Sequence, residues 1–509
     1  MNPPYGGWVN KNHMEQKLAL KEFSFFIRNI KLRLPFRFGA FTMEEVPLLH
    51  LAVETESADG RRARGFAADN LVPRWFDKSP EKSVRENILD LLSAARMAGD
   101  IYSRAGSAPL SLWRIWREAY AECHRRGALR GFNKLVSSFG SSLFERALAD
   151  AAGRLAGLDL VAMLRENVLG LCPEEVHPEI SGADFQAWVR REPLPFLMVR
   201  HTVGLLDPLA SSDLPPDGGP PDGLPRTLEE NVRHYGLRYF KVKVTGSAEA
   251  DVERLRRIAS ILDRLIPGEY AATLDGNEQY KSFEEFARFF ERLRNTPQLN
   301  RLVRSLAFIE QPLERSIALD ARFTRTLSEV SHFFPVIIDE SDDDLDAFRQ
   351  AVQLGYRGVS TKNCKGTMKS FLNRTLVERL NADRPGSQAL FMSAEDLSNL
   401  PVVPLQQDLA TVRALGIPHL ERNGHHYVRG LAHCSARERE AAARLHGDLY
   451  RGDEKEAYLR VEKGRISVSS LNVPGYGIAF DPDLSSMIPL EEWLAGFRPG
   501  SIAEFGKKV

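Results

Sequence analysis

Five short polar groups, each closing an apolar run, constrain this chain more than any other feature. In order they are Lys241-Val-Lys243, Asp275-Gly-Asn277, Glu310-Gln-Pro312, Asp339-Glu340 and Lys362. The runs that end on them, 238–244, 270–275, 306–310, 336–339 and 358–362, have the length and side chains of strands. The segments between them read as amphipathic helices, and each interval has room for one loop, one helix and one strand. Strand and helix in alternation predict a parallel sheet. Closed into a barrel, that sheet brings every strand's C-terminal tip to one mouth. Carboxylates that end runs such as Phe308-Ile309-Glu310 or Ile337-Ile338-Asp339 are costly to bury without a partner. A salt bridge or a helix N-cap accounts for any one of them, but less readily for all three. Three converging carboxylates repel one another unless a divalent cation sits among them.

Three further strands complete the expected barrel, at 195–203, 389–392 and 417–420. In the strand at 238–244, Phe240, Val242 and Val244 alternate with Lys241 and Lys243. A barrel turns the apolar set outward onto helices and both lysines inward. Residues 211–225 are rich in proline and glycine, and 228–235 reads as the first outer helix. If 195–203 is the first barrel strand, the 211–225 stretch lies on the same face as the site, as a solvated tether or as a lid. Upstream, 25–27, 30–34 and 46–53 read as strands, followed by a polar hairpin turn over 54–64 and a return from Gly65. Residues 83–166 read as helical, with Leu89, Leu91, Leu92, Met97 and then Leu112, Ile115, Trp116, Tyr120 at core spacing.

The order Lys-x-Lys, Asp-x-Asn, Glu-Gln-Pro, Asp-Glu, Lys resembles the enolase superfamily, in particular its muconate lactonizing enzyme / mandelate racemase-like branch of lysine–lysine type. The resemblance implies an α/β fold: a modified (β/α)8 TIM barrel with an α+β capping domain formed by the N-terminal region and the C-terminal tail. On that reading residues 1–190 form the cap with a helical insertion, 191–440 the barrel, and 441–509 a segment returning to the cap. Mandelate racemase relatives use a His–Asp pair in place of the last lysine. Here the seventh strand ends Phe391-Met392-Ser393 without histidine, so the lysine–lysine branch fits better. The chain departs from the family after Lys362, where Lys365-Gly366-Thr367 replaces the paired glycines often found there.

By the same resemblance Lys243 is the acid/base, Lys241 assists it or touches the substrate carboxylate, and Lys362 addresses the opposite face of the same carbon. Asp275, Glu310 and Asp339 are implied ligands of Mg2+, with Mn2+ as an alternative, and Asn277 and Glu340 support them; strand parity admits only one of Asp339 and Glu340 inward. Arg37, in the segment 34–39, and Asn70, after 67–69, fall where the family places its specificity loops. Ser393, Glu395 and His425 at strand ends are further candidate substrate contacts. In the pair His425-His426, at most one faces a given site if the segment is a strand or loop. Lys365 competes with Lys362 for the role of acting base. The positive charge of Lys241 beside Lys243 is expected to lower the latter's pKa.

The chemistry this implies is removal of the proton next to a substrate carboxylate, with a metal-stabilised enediolate, by an isomerase: a racemase or epimerase of an N-substituted amino acid, a dipeptide or a similar acid. A lyase that eliminates, or a cycloisomerase, is the alternative within the same chemistry. The non-enzymatic alternative is a barrel that binds ligand without catalysis, against which the intact lysines and carboxylates speak. The 68 basic and 68 acidic residues leave no net charge, which argues against a nucleic-acid or acidic-membrane partner. No apolar run reaches the length of a membrane span. Four separated cysteines form no metal or disulfide pattern, and the N-terminus lacks the layout of a signal peptide, so a cytoplasmic setting is expected. Large barrels of this kind often form homo-oligomers.

Overall fold

The computed structural model describes residues 15–38, 41–216, 220–384, 386–395, 397 and 399–496; Gly39 and residues 217–219 lie outside them. The chain opens with an antiparallel meander: β1 (Leu18–Phe38), β2 (Phe41–Ser57) and β3 (Arg62–Asn70). The two runs at 25–27 and 30–34 are one strand. Register shifts between Leu20 and Glu22 and between Lys31 and Phe36 absorb the breaks in alternation. Phe36, Arg37 and Phe38 then pair with Met43, Thr42 and Phe41, so most of the segment 34–39 is hairpin rather than loop.

The helical block consists of α1 (Val84–Ala105), α2 (Leu112–Leu129), α3 (Lys134–Ala156), α4 (Leu160–Arg165) and α5 (Gly182–Val189). Ser83 and Glu86 form a capping box that starts α1. Helix α3 is buried on nearly every side, which explains its alanine, glycine and serine content. A Cβ at Gly65 of β3 would lie 2.0 Å from the Ala147 carbonyl of α3, so this sheet–helix contact requires glycine.

The barrel strands are β4 (Phe196–Val203), β5 (Tyr239–Lys243), β6 (Ala271–Asp275), β7 (Leu306–Glu310), β8 (Val336–Ile338), β9 (Gly358–Thr361), β10 (Phe391–Ala394) and β11 (His419–Arg422). All run parallel in sequential order, and β11 pairs with β4 to close the ring. The outer layer includes helices 228–235, 248–265, 283–294, 347–354, 367–381 and 403–415. The last two strands extend two residues beyond their expected ends, a difference that matters for the site. A hairpin, β12 (Tyr450–Gly452) with β13 (Ala457–Leu459), follows. Then β14 (Arg465–Ser467) adds antiparallel to β4, and β15 (Ile488–Pro489) pairs with β1 at Phe26 and Ile27. No helix among the described residues is long and apolar enough to cross a membrane.

The described end of the 211–225 stretch, from Pro220 onward, is not a free tether. Arg33 of β1 donates to both carboxylate oxygens of Asp222, at 2.5 and 2.9 Å, and to the carbonyls of Pro225 and His426. Its side chain is 4% exposed and that of Asp222 10%, so the pair is nearly dry. The sheet of the cap therefore straps the loop that follows the first barrel strand. Arg33→Ala is expected to raise the rate of limited proteolysis within this loop; an unchanged rate would mean other contacts hold it.

Glu145 of α3 makes a second bond between cap and barrel. Its carboxylate accepts from the backbone N–H of Thr367, the first residue of helix 367–381. Burial raises its pKa from 4.5 to about 8, against the opposing pull of that N–H and of Arg146. Between those values the folded chain holds a proton that the unfolded chain has released. This contribution is therefore most favourable below about pH 4.5 and is lost as pH rises towards 8, by on the order of 5 kcal/mol. Glu145→Gln should flatten the stability–pH curve over that window in urea titrations at several pH values.

Candidate active site

In parallel neighbours, residues in register point the same way. Lys243, Asp275 and Glu310 are register partners across β5, β6 and β7, so their side chains meet at one level of the mouth. The two turns that follow are packed on each other. Gly276 donates to the Glu310 carbonyl and Glu278 to that of Gln311, and a Cβ on Gly276 would lie 2.6 Å from Pro312. Asn277, Glu278 and Gln311 all adopt positive φ (41°, 67° and 34°), backbone strain gathered at this one place. The Gln311 side chain then fixes the next strand end: its Oε1 accepts from the N–H groups of Asp339 and Ser341. Asp-Gly-Asn and Glu-Gln-Pro are thus parts of one hydrogen-bonded rim.

The charged groups at this rim are buried and paired. Lys243 donates to Asp275 at 2.6 Å. Lys362 donates to Asp339 at 2.5 Å and lies 4.0 Å from Glu310. Burial works against the charge on Lys362, but Asp339, with Glu310 and Glu395 beyond it, holds the ammonium above the ordinary lysine value. Lys241 sits among four carboxylates, Asp275, Glu310, Glu395 and Glu421, at 2.6 to 2.9 Å. Its charge is opposed by burial and sustained by those neighbours, first Asp275. Glu310 is pushed well above the usual carboxylate range by burial and by the proximity of Asp275 and Glu395. Asn277 Nδ2 donates to Glu340 Oε1 at 3.3 Å. Lys365 donates to Asp339 and to the carbonyl and hydroxyl of Ser360, which ties it into the strand ends.

Among the described residues, no three His, Cys, Asp or Glu side chains are disposed as a ready metal cage. Lysine ammonium groups lie between Asp275 and Glu310 and between Glu310 and Asp339. The donor chemistry nevertheless fits a hard divalent cation. All three groups are carboxylates, and neither buried oxygen of Glu310 accepts a directed hydrogen bond. Lys241 touches both Asp275 and Glu310, and Lys362 reaches Glu310 and Asp339, so the three acids share one small volume.

The structure also brings in residues that sequence reasoning missed. Arg200 of β4 donates to Thr273, Ser393, the Ala394 carbonyl and Glu395, from inside the barrel. Glu421 of β11 accepts from Thr202 and Lys241. Trp75 lies over the Lys362 ammonium at 5.1 Å. Arg315 pins the segment around Trp75 by donating to the carbonyls of Trp75 and Phe76 while it pairs with Glu278. Lys78 adds a bond to the Asn277 carbonyl. This segment of the cap thus meets the mouth at Lys362, Glu278 and Asn277. Parity offered a signal for Arg200 and Thr202, which alternate with outward residues along β4. Glu421 was hidden because the sequence reading ends that strand at Leu420.

The substrate-contact candidates fare unevenly. Ser393 and Glu395 are at the site, bonded to each other and to Arg200. Asn70 is buried at the end of β3 and donates to the Leu397 carbonyl in the loop after β10. Arg37 lies beside the loop after β4, its carbonyl accepting from Leu205. His425 is not at the mouth. Residues 424–427 form a short helix rather than a strand or loop, and His425 packs behind β4 on His201, 3.1 Å away, and on the Tyr235 ring. His426 is likewise buried there, against Asn231. His201 pairs in register with Phe240, on the helix-facing side of the barrel.

No family model matches the sequence, and no curated protein sequence matches it. Solved structures do match by shape. An enolase from Bradyrhizobium, complexed with magnesium and mandelic acid, is 16% identical; the match covers 95% of this chain and 99% of that one, with a TM-score of 0.55. A mandelate racemase/muconate lactonizing protein from Herpetosiphon aurantiacus is 15% identical, covering 91% and 99%, with a TM-score of 0.56. A dipeptide epimerase from Cytophaga hutchinsonii, complexed with Mg and D-Ala-L-Val, is 16% identical, covering 93% and 99%, with a TM-score of 0.57. The chain therefore has a modified (β/α)8 barrel with an N-terminal cap. Solved structures that share this fold include an enolase, a mandelate racemase/muconate lactonizing protein and a dipeptide epimerase.

Proposed function

We propose that this chain is a divalent-metal-dependent enzyme of the enolase superfamily that removes the proton next to a substrate carboxylate, acting as a racemase or epimerase. The observation that carries the reading is the placement of two lysines. Lys243 ends β5 and Lys362 follows β9, four strands apart in a closed ring of eight, with Asp275, Glu310 and Asp339 at the strand ends between them. Amines on opposite walls suit removal of a proton from one face of a carbon and delivery to the other.

In this reading Asp275, Glu310 and Asp339 hold Mg2+, or Mn2+ in its place, and Asn277 and Glu340 orient them. The cation supplies electrophilic stabilisation of the negative charge that develops on the substrate carboxylate. Before acting as a base, each lysine must leave its carboxylate, Lys243 from Asp275 and Lys362 from Asp339, and shed a proton. Trp75 and the segment tied down by Arg315 keep water from the reacting carbon.

One observation favours a second reading. Asp339 and the Trp75 ring both favour a Lys362 that stays charged. A cationic Lys362 suits elimination or ring closure, in which Lys243 alone moves the proton. A screen of acid sugars, amino acids and dipeptides with Mg2+ in deuterium oxide tests both. Deuterium in recovered substrate of inverted configuration supports racemisation or epimerisation. Loss of water or ring closure supports the second reading. Metal binding without exchange across the screen would leave a binding protein.

A further inference from the structure

We propose that Glu395 and Glu421 are positioning residues that hold the Lys241 ammonium as a fixed counter-charge beside Asp275 and Glu310, and so set how strongly these acids draw a divalent cation. This rests on the reading of Asp275, Glu310 and Asp339 as cation ligands.

The four contacts of Lys241 are not alike. Its N–H groups are directed at Glu395 Oε2, 2.6 Å away, and Glu421 Oε2, 2.9 Å away. Asp275 and Glu310 lie as close, at 2.9 and 2.8 Å, but meet it as ion pairs without a directed hydrogen bond. The directed pair is itself immobilised. Glu395 accepts from Arg200 and Ser393, and Arg200 is braced by Thr273 at 2.8 Å and the Ala394 carbonyl at 2.9 Å. Glu421 accepts from Thr202 at 2.8 Å. All of these groups stand on barrel strands or at their ends, so Lys241 can neither withdraw from Asp275 and Glu310 nor settle fully between them.

A fixed unit charge at this range opposes the entry of a second cation. Removing it should tighten divalent binding; freeing it to sink between Asp275 and Glu310 should weaken binding. Glu395 and Glu421 would thus act on the cation through Lys241, beyond their own charge.

Mn2+ binding to the full-length protein without substrate, followed by electron paramagnetic resonance, separates these effects. Lys241→Met is expected to tighten binding at least about tenfold, since one full charge is removed beside two carboxylates. Glu421→Gln should weaken binding several-fold in the wild-type background and much less in the Lys241→Met background. Equal or weaker binding by Lys241→Met overturns the proposal, as does the same Glu421→Gln factor in both backgrounds. Should Lys241→Met not fold, Thr202→Val loosens Glu421 with no change of charge. Weaker Mn2+ binding with an unchanged melting temperature supports the proposal, and unchanged binding overturns it. Failure of the underlying ligand reading looks different: Mn2+ would bind neither wild type nor variants, or would bind Asp275→Asn as well as wild type.

Discussion

Lys243→Ala is expected to lower α-hydrogen exchange by roughly a hundredfold to ten-thousandfold, the usual contribution of a positioned general acid or base. Divalent binding should persist, because the carboxylates stay in place. Lys362→Ala should do the same for the opposite face. With single enantiomers in deuterium oxide, one variant should lose exchange on one enantiomer and the other variant on its mirror image. That split follows from the opposed walls: β5 and β9 are four strands apart, and each lysine ends on a different aspartate. If Lys362→Ala leaves exchange intact on both enantiomers, neither the amine nor the charge of Lys362 is needed, and the two-base reading fails. If Lys243→Ala does so, the base is misassigned.

Arg146→Met is expected to be the most damaging single change to stability, by roughly 3–5 kcal/mol, because it strands a buried carboxylate. Arg146 of α3 is fully buried and pairs with Asp69 of β3, which is equally buried. It also donates to the Ala68 carbonyl and to Gln407 on helix 403–415 of the barrel. Burial already raises the pKa of Asp69 despite the opposing guanidinium, so loss of Arg146 removes its main support. The double variant Asp69→Asn/Arg146→Met should recover most of the loss, since no lone charge then remains buried. Urea unfolding of the three variants checks this. A double variant no more stable than Arg146→Met would place the cost in packing across the joint rather than in charge.

Much of the architecture was legible because period and punctuation are local. Helix 228–235 lies where the sequence places it, six barrel strands are where their apolar runs predict, and the last two overlap theirs but sit two residues further along. The strand-tip groups were legible for a further reason: a carboxylate after Phe-Ile or Ile-Ile has few innocuous explanations. Local reading failed where an element's end or its conformational class depended on distant partners. β1 runs through the apparent break at 28–29 because β2 pairs with it throughout. β11 continues to Arg422 because β4 pairs with Arg422 at His201. The segment at 424–427 is helical, which turns both histidines away from the mouth.

Alternation of strand and helix, and with it the shared side of Lys241, Lys243, Asp275 and Glu310, was determined by the sequence alone, because side-chain direction along a strand follows from a two-residue period. Tertiary structure alone decided how those groups pair. Lys241 finds Glu421 180 residues away and Arg200 finds Glu395 at 195. Lys241, two residues from Lys243 in the sequence, meets four carboxylates in the fold. Coulomb energy depends on distance in space, and ring closure of the barrel sets those distances.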